Sequence, residues 1–166
     1  MKMNVMREIR IEKIVLSIGG TGDNLEKGIK LLKMLTGREP ARMKSRKRIP
    51  SLGVRPGLEV GAVVTVRKNV GDVLRKMLAT RDNTLKENQI SENCFSFGVK
   101  EYIEIPGFEY QRDIGIRGLD VTVVFKRAGK RIGLKKMKTG KIPRRNRIPK
   151  EEIIKFMEEK FHTNFI

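Results

Sequence analysis

Few residues in this chain have the type and spacing to do chemistry, and each one can be weighed alone. His162 is the single histidine, close to the end of the sequence, and is expected to be a surface or packing residue rather than a general base. Cys94 is the single cysteine, with no histidine or cationic cluster near it in sequence, which predicts a small apolar role rather than a nucleophile. One Cys and one His cannot build a structural zinc site, so no metal is expected. The turn Gly19-Gly20-Thr21-Gly22 invites comparison with phosphate-binding loops. Read from Gly20, however, it lacks the third glycine of a dinucleotide fingerprint, and Asp23 puts a negative charge where a phosphate would sit. Gly133 to Gly140-Lys141 is two residues too long for a Walker loop, and Ile142 replaces the hydroxyl that would hold magnesium. No cofactor and no catalysis are expected.

What the chain does carry is charge. Lys and Arg number 37 against 19 Asp and Glu, a formal +18. Residues 38–57 hold Arg38, Arg42, Lys44, Arg46, Lys47, Arg48 and Arg55 against the single acid Glu39. From Lys126 to Lys150 every charged residue is basic, and the rest of the chain is neutral. Mere solubility would be met by interspersed signs, whereas blocks of like charge repel each other until a polyanion neutralises them. Nucleic acid is the expected partner. A nuclear-localisation reading uses the same residue types.

These segments need elements to position them. Ile9, Ile11, Ile14, Leu16 and Ile18, interleaved with polar residues, predict a strand that ends at the glycine turn. Asp23 with Glu26 suggests a capping box opening a helix through Thr36, with Leu25, Ile29, Leu32 and Leu35 on one face and Gly37 as its stop. Residues 41–48 are expected to be extended, followed by a turn-rich loop at 49–57. Val60, Val63, Val64 and Val66 predict a buried strand, and Val70, Val73, Leu74, Met77 and Leu78 an amphipathic helix. Two further strands are expected at 95–105 and 119–127, around a Gly/Pro-punctuated loop at 106–118. The segment 128–148 lacks apolar periodicity and is expected to be an extended arm that orders on its partner. A last helix at about 150–160 would present Ile153, Ile154, Met157 and Phe161 on one side. This order predicts an α+β two-layer sandwich, its sheet mostly antiparallel, with helices on one face and the other face open. The domain boundary is placed at 127, with a globular body at 1–127 and with the arm and terminal helix at 128–166 expected to pack on that same domain. No apolar run reaches membrane-spanning length, and Met1–Glu8 contains no apolar signal core, so neither membrane nor secretion is expected. A single cysteine fits a reducing compartment.

With aromatics at 5%, base stacking cannot be the main binding mode, and contacts to phosphate and ribose must dominate. That favours folded RNA recognised by shape. DNA packaging would favour a basic body or dimerising helices instead. Phe95-Ser96-Phe97-Gly98-Val99 echoes the aromatic strand of an RNA recognition motif, which supports an alternative: a regulator that binds single-stranded RNA through exposed Phe95 and Phe97.

The ordered set Ile11-Glu12-Lys13-Ile14-Val15-Leu16, Leu35-Thr36-Gly37-Arg38-Glu39-Pro40, Lys44-Ser45-Arg46, Gly53-Val54-Arg55, Val64-Thr65-Val66-Arg67, Phe97-Gly98-Val99-Lys100-Glu101 and Ile116-Arg117-Gly118-Leu119-Asp120 resembles the universal large-subunit ribosomal protein five family. In eukaryotes its members are called protein eleven. The ending, Lys138-Thr139-Gly140 and Arg147-Ile148-Pro149-Lys150-Glu151-Glu152, is similar to the archaeal and eukaryotic branch. The resemblance implies a non-enzymatic constituent of the large ribosomal subunit. It would hold 5S ribosomal RNA in the central protuberance through its sheet, at Arg10, Lys13, Ser17, Lys44, Arg46, Thr65 and Arg67. The loop Arg48, Pro50, Ser51, Leu52, Gly53, Val54 and Arg55 would reach peptidyl-site tRNA. The arm would lie on large-subunit rRNA through Lys130, Arg131, Lys135, Lys136, Lys138, Arg144, Arg145 and Arg147. Other 5S-associated ribosomal proteins would be neighbours. The implied location is the cytoplasmic ribosome, with passage through nucleus and nucleolus during assembly in a eukaryote. Three features depart from the family pattern, one of them the arm's Pro143-Arg144-Arg145-Asn146, which is more basic than the family leads one to expect. Ser17 stands where an Asn is usual, with less donor and acceptor reach, and Pro149 stands where a Ser cap is common and cannot supply a capping oxygen.

Overall fold

The computed structural model describes residues 4–166. Residues 1–3, the start of the segment read for a signal core and of the 1–127 body, lie outside the described part. Among the described residues, eight strands and three α-helices follow in the order β1 (Arg10–Gly19), α1 (Asp23–Thr36), β2 (Ala41–Lys44), β3 (Glu59–Val66), α2 (Val70–Ala79), β4 (Thr84–Leu85), β5 (Ile90–Ser91), β6 (Cys94–Val99), β7 (Leu119–Lys126), α3 (Lys150–Phe161) and β8 (Asn164–Phe165). Six of the strands form one sheet in the order β2-β3-β1-β7-β6-β5, and every pairing in it is antiparallel. The α+β architecture is as the sequence predicts.

The core lies under one face of that sheet. Ile14, Leu16 and Ile18 of β1, Ala62, Val64 and Val66 of β3, Val121, Val123 and Phe125 of β7, and Phe95, Phe97 and Val99 of β6 are all buried. They alternate with exposed or half-buried residues, the period-two signature of a sheet with one dry and one wet side. α1 and α2 cover this face with Leu25, Leu31, Leu32, Leu74, Met77 and Leu78. At Gly28 a Cβ would fall 2.9 Å from Cγ2 of Ile18, so the glycine is what lets α1 sit this close to β1. α3 adds Ile153 and Met157, and its Phe156 meets Phe125 edge-on at 5.6 Å. After α3 the chain returns as β8, which pairs with β4 in parallel and ties the C-terminus to the exit of α2.

Several expectations need correction. α1 begins at Asp23, which makes Gly22 the cap; no side chain caps the helix, so the capping box does not form. Asp23 and Glu26 instead sit in the first turn, where they favour the positive end of the helix dipole. The extended segment at 41–48 is a strand only to Lys44, and the strand expected at 95–105 stops at Val99 and is followed by a single 3₁₀ turn, Tyr102–Glu104. Val60 and Val63 are half-buried: alternation sends Val63 to the wet face while Ala62, Val64 and Val66 go inward, and Val60 shares their side but lies at the open end of the strand. The arm contains two 3₁₀ turns, Lys130–Leu134 and Arg144–Asn146, and folds back on the body. Among the described residues, two ion pairs hold it there, Lys130 with Glu12 and Arg147 with Glu92 at 3.0 Å, and Arg127 at its base pairs with Glu152 of α3. Ile148 is fully buried beside them.

Candidate nucleic-acid interface

The wet face of the sheet is set by a slip in β1. Arg10 pairs with Lys126 and Ile11 with Phe125, but Lys13 pairs with Val124, so Glu12 is an extra residue bulged out of the ladder. Without the bulge, Arg10 and Lys13 would point to opposite sides. With it, Arg10, Lys13, Val15 and Ser17 share one face with Lys126, Val124, Thr122 and Asp120 of β7. Thr65, paired with Val15, joins them from β3, and exposed Arg67 follows at the strand's end. Four of the seven residues assigned to the sheet by resemblance, Arg10, Lys13, Ser17 and Thr65, therefore share the side away from the helices. The sequence held a signal for this. The apolar residues run 9, 11, 14, 16, 18, a break in alternation between Ile11 and Ile14.

This face is unusually low. Gly61, Gly98, Ser17, Ser96, Thr122 and Thr65 leave little to hold a rigid helical partner away from the backbone, and the Ser96 and Thr122 hydroxyls lie 3.0 Å apart. Cys94, expected in the interior, is half-buried on this side opposite Val124. Arg10, exposed, donates to Glu8 at 2.6 Å, and its hydrogen bond and charge hold the Glu8 carboxyl below the usual carboxylate range. Asp120 is the acid in the middle of this face. It would repel a phosphate and accept from a ribose hydroxyl or a base amino group. Sequence reasoning missed Lys126, Thr122, Ser96 and Asp120, because only the pairing register shows that they join β1 on this face.

At the edge, β2 carries Lys44, exposed, and the chain then bends through exposed Arg46. Arg42 is committed to the fold, reaching Glu26 of α1 and Glu59 at 2.9 Å each; these bonds and charges raise its pKa. Beyond β2 the chain continues as a narrow finger. Ser45 donates to the Leu58 carbonyl at 2.8 Å, and Ile49 and Val54 exchange two backbone hydrogen bonds at 2.9 and 3.1 Å. Pro50–Leu52 makes one 3₁₀ turn and Gly53, at φ 65°, closes it in the left-handed region that favours glycine. Val54 is buried, Leu52 at the tip is 71% exposed, and Arg48 and Arg55 flank the bridge in solvent. Arg48, Pro50, Ser51, Leu52, Gly53, Val54 and Arg55 thus form one protruding unit, separate from the wet face.

On the arm, Arg131, Lys135, Lys136, Lys138, Arg144, Arg145 and Arg147 are exposed, and Lys130 is half-buried against Glu12. Pro149 precedes α3 without a side-chain cap, as its chemistry requires, while Glu151 and Glu152 load the first turn with negative charge. His162 closes α3 in a left-handed conformation, exposed, a packing-end residue as expected.

The single-strand alternative fails on geometry. Phe95 and Phe97 are 1% and 3% exposed, stacked on each other at 5.9 Å, with Phe95 also against Phe125 at 5.7 Å. They point into the core, where no base can reach them.

Comparison with known proteins agrees with this architecture. Residues 4–55 match the family model described as ribosomal protein L5, and residues 59–156 match the model for the C-terminus of the same ribosomal family. The large ribosomal subunit protein uL5 of Nanoarchaeum equitans is 39% identical over 97% of this chain and 98% of its own length. That of Sulfolobus acidocaldarius is 38% identical over 99% and 95%, and that of Methanobrevibacter smithii 34% identical over 99% of each. The two family models meet between β2 and β3, neighbours in one sheet, so both are needed to complete the face just described. The chain belongs to the ribosomal protein L5 family, whose members are structural constituents of the large ribosomal subunit and not enzymes.

Proposed function

We propose that this chain anchors 5S ribosomal RNA within the large subunit, with Arg10, Lys13, Ser17, Thr65 and Arg67 on the RNA side and Lys44 and Arg46 gripping its edge. The observation that carries the reading is the bulge at Glu12, which gathers Arg10 and Lys13 onto the helix-free face with Ser17 and Thr65. A low face of glycines and hydroxyls rimmed by cations suits a folded RNA helix, whose wide minor groove displays ribose hydroxyls and phosphates. The finger at 48–55 would touch peptidyl-site tRNA, its small residues allowing close approach and Arg48 and Arg55 meeting phosphates. In this reading residues 1–127 are the RNA-binding body. Residues 128–166 form an arm and helix in which Lys130, Arg131, Lys135, Lys136, Lys138, Arg144, Arg145 and Arg147 contact large-subunit rRNA. Other 5S-associated proteins of the cytoplasmic ribosome would lie beside it. No described helix is long and apolar enough to cross a membrane.

The test compares the two faces of the sandwich. Lys13→Glu with Thr65→Glu on the wet face is expected to weaken 5S RNA binding by about 1–3 kcal/mol. Lys27→Glu with Lys30→Glu, both exposed on α1, is expected to cost far less. Equal losses from both pairs would mean that only net charge matters and would remove the sheet as the RNA surface.

A further inference from the structure

Where the arm folds back it encloses space. A cavity of about 410 Å³ lies between the N-terminal turn and the arm, and two neighbouring cavities share Arg127 with it. Its wall has two chemistries. Met6, Ala128, Ile132, Ile142 and Pro143 make an apolar side, whereas Arg7, Lys141 and Arg145 supply three positive charges beside Arg127, whose own charge is met by Glu152. Among the described residues, no carboxylate lines it. The acids of the adjoining cavity, Glu152 and Glu92, are engaged by Arg127 and Arg147.

Arg127 is the fixed point. It is 7% exposed, donates one terminal nitrogen to the Arg145 carbonyl at 3.0 Å and the other to Glu152, and its Nε is buried with no partner among the described residues. A buried donor left unpaired is destabilising, and it marks a place where an acceptor is missing. The fold around it is specific. Gly133 and Gly140 accept Ile142 and Ile132 so closely that a Cβ would fall 2.9 and 2.6 Å from their side chains, which sets the apolar wall.

An apolar wall alone suits a hydrocarbon, and cations alone suit any phosphate. Together, in a volume within the range of small-ligand pockets, they suit a flat heterocycle joined to a phosphate. We infer that this cavity is a nucleotide pocket. It takes one nucleotide turned out of its helix, the phosphate on Arg7, Arg127, Lys141 or Arg145 and the base against Ile132 and Ile142. Arginine serves both needs, pairing with phosphate oxygens through its fork and stacking its plane on a base. The inference rests on the function proposed above only for the source of the nucleotide, a ribosomal RNA.

The experiment is an NMR titration of the isotope-labelled full chain with adenosine monophosphate, ribose phosphate and adenosine as probes. Adenosine monophosphate is expected to bind about tenfold more tightly than either fragment. Its shifts should centre on Gly129, Ile132, Ile142 and Asn146. Ile142→Glu, at a half-exposed position, is expected to weaken it by about tenfold while the amide positions of β1 and β3 stay put. Ile132→Glu repeats the test on the other side of the wall. Ribose phosphate binding as tightly as the nucleotide would overturn the pocket and leave a phosphate site. Shifts that avoid the arm, or that survive both variants, would also overturn it. The unsubstituted chain is titrated with 5S RNA beside these probes: no 5S RNA binding with the nucleotide shifts present means that the anchoring role fails and the pocket stands, and 5S RNA binding with no nucleotide shifts removes the pocket alone.

Discussion

In the proposed reading, Arg10 is one side chain that serves both fold and partner. Its guanidinium rests on Glu8 at 2.6 Å, and in the proposed reading an RNA phosphate would replace that carboxylate. Both groups are about half exposed, so the pair adds little to stability and can be exchanged cheaply. Its pH signature has a definite sign. A carboxyl held low contributes its stabilisation above the usual carboxylate range and loses it as pH falls through the depressed value. Arg10→Gln is expected to return Glu8 to the ordinary range in an NMR pH titration, and bound 5S RNA should shift Glu8 the same way by drawing Arg10 off. A Glu8 that titrates identically in all three states would show that Arg10 makes no such exchange. Arg10 and Lys13 can be nominated from charge and resemblance, but their common face cannot, since a residue three positions along a regular strand points to the other side. The opposite holds at Phe95 and Phe97, where the aromatic spacing of an RNA-binding strand is also that of a strand closing a core.

The elements are legible in proportion to their periodicity. β1, β3, α1, α2, β7 and α3 carry clear apolar repeats and stand where the pattern puts them. β4, β5 and β8 are two residues each, too short for a period to register, and exist because long-range pairing fixes them. The finger reads as a loop in the sequence because its bridge depends on two backbone hydrogen bonds rather than on side-chain type. Shortening Ile49–Val54 to a two-residue turn is expected to leave 5S RNA binding within about twofold, a change of under 1 kcal/mol, while tRNA retention by reconstituted subunits falls. Loss of 5S binding in that variant would refute the division of labour between finger and sheet. The approach to β7 gives a stability test. A Cβ on Gly118 would lie 2.7 Å from the carbonyl oxygens of Val99 and Lys100, which are backbone and cannot swing away. Gly118→Ala is expected to destabilise the fold by about 2 kcal/mol, read as a lowered midpoint in urea. An unchanged midpoint would mean that β6 and β7 are not held this closely at their ends.

Across the whole molecule, a neutral sandwich carries a basic finger, a basic arm folded against it and one low, cation-rimmed sheet face. The two basic segments explain general attraction to RNA, because phosphate contacts release counterions whatever the sequence. In the proposed reading the sheet face is what discriminates, since a rigid surface of fixed register fits one groove shape better than another. The arm's ion pairs to Glu12 and Glu92 are contacts that RNA phosphates would compete for, so arm and sheet should respond differently to salt. Discrimination by the sheet can be read from a salt titration of binding to 5S RNA beside tRNA, a plain RNA duplex and a single strand. 5S RNA is expected to keep its advantage as salt rises, because groove contacts survive when phosphate attraction is screened. If all four affinities fall together, by roughly 10³–10⁵ between 50 and 200 mM salt, phosphate attraction alone is at work and the sheet face recognises nothing.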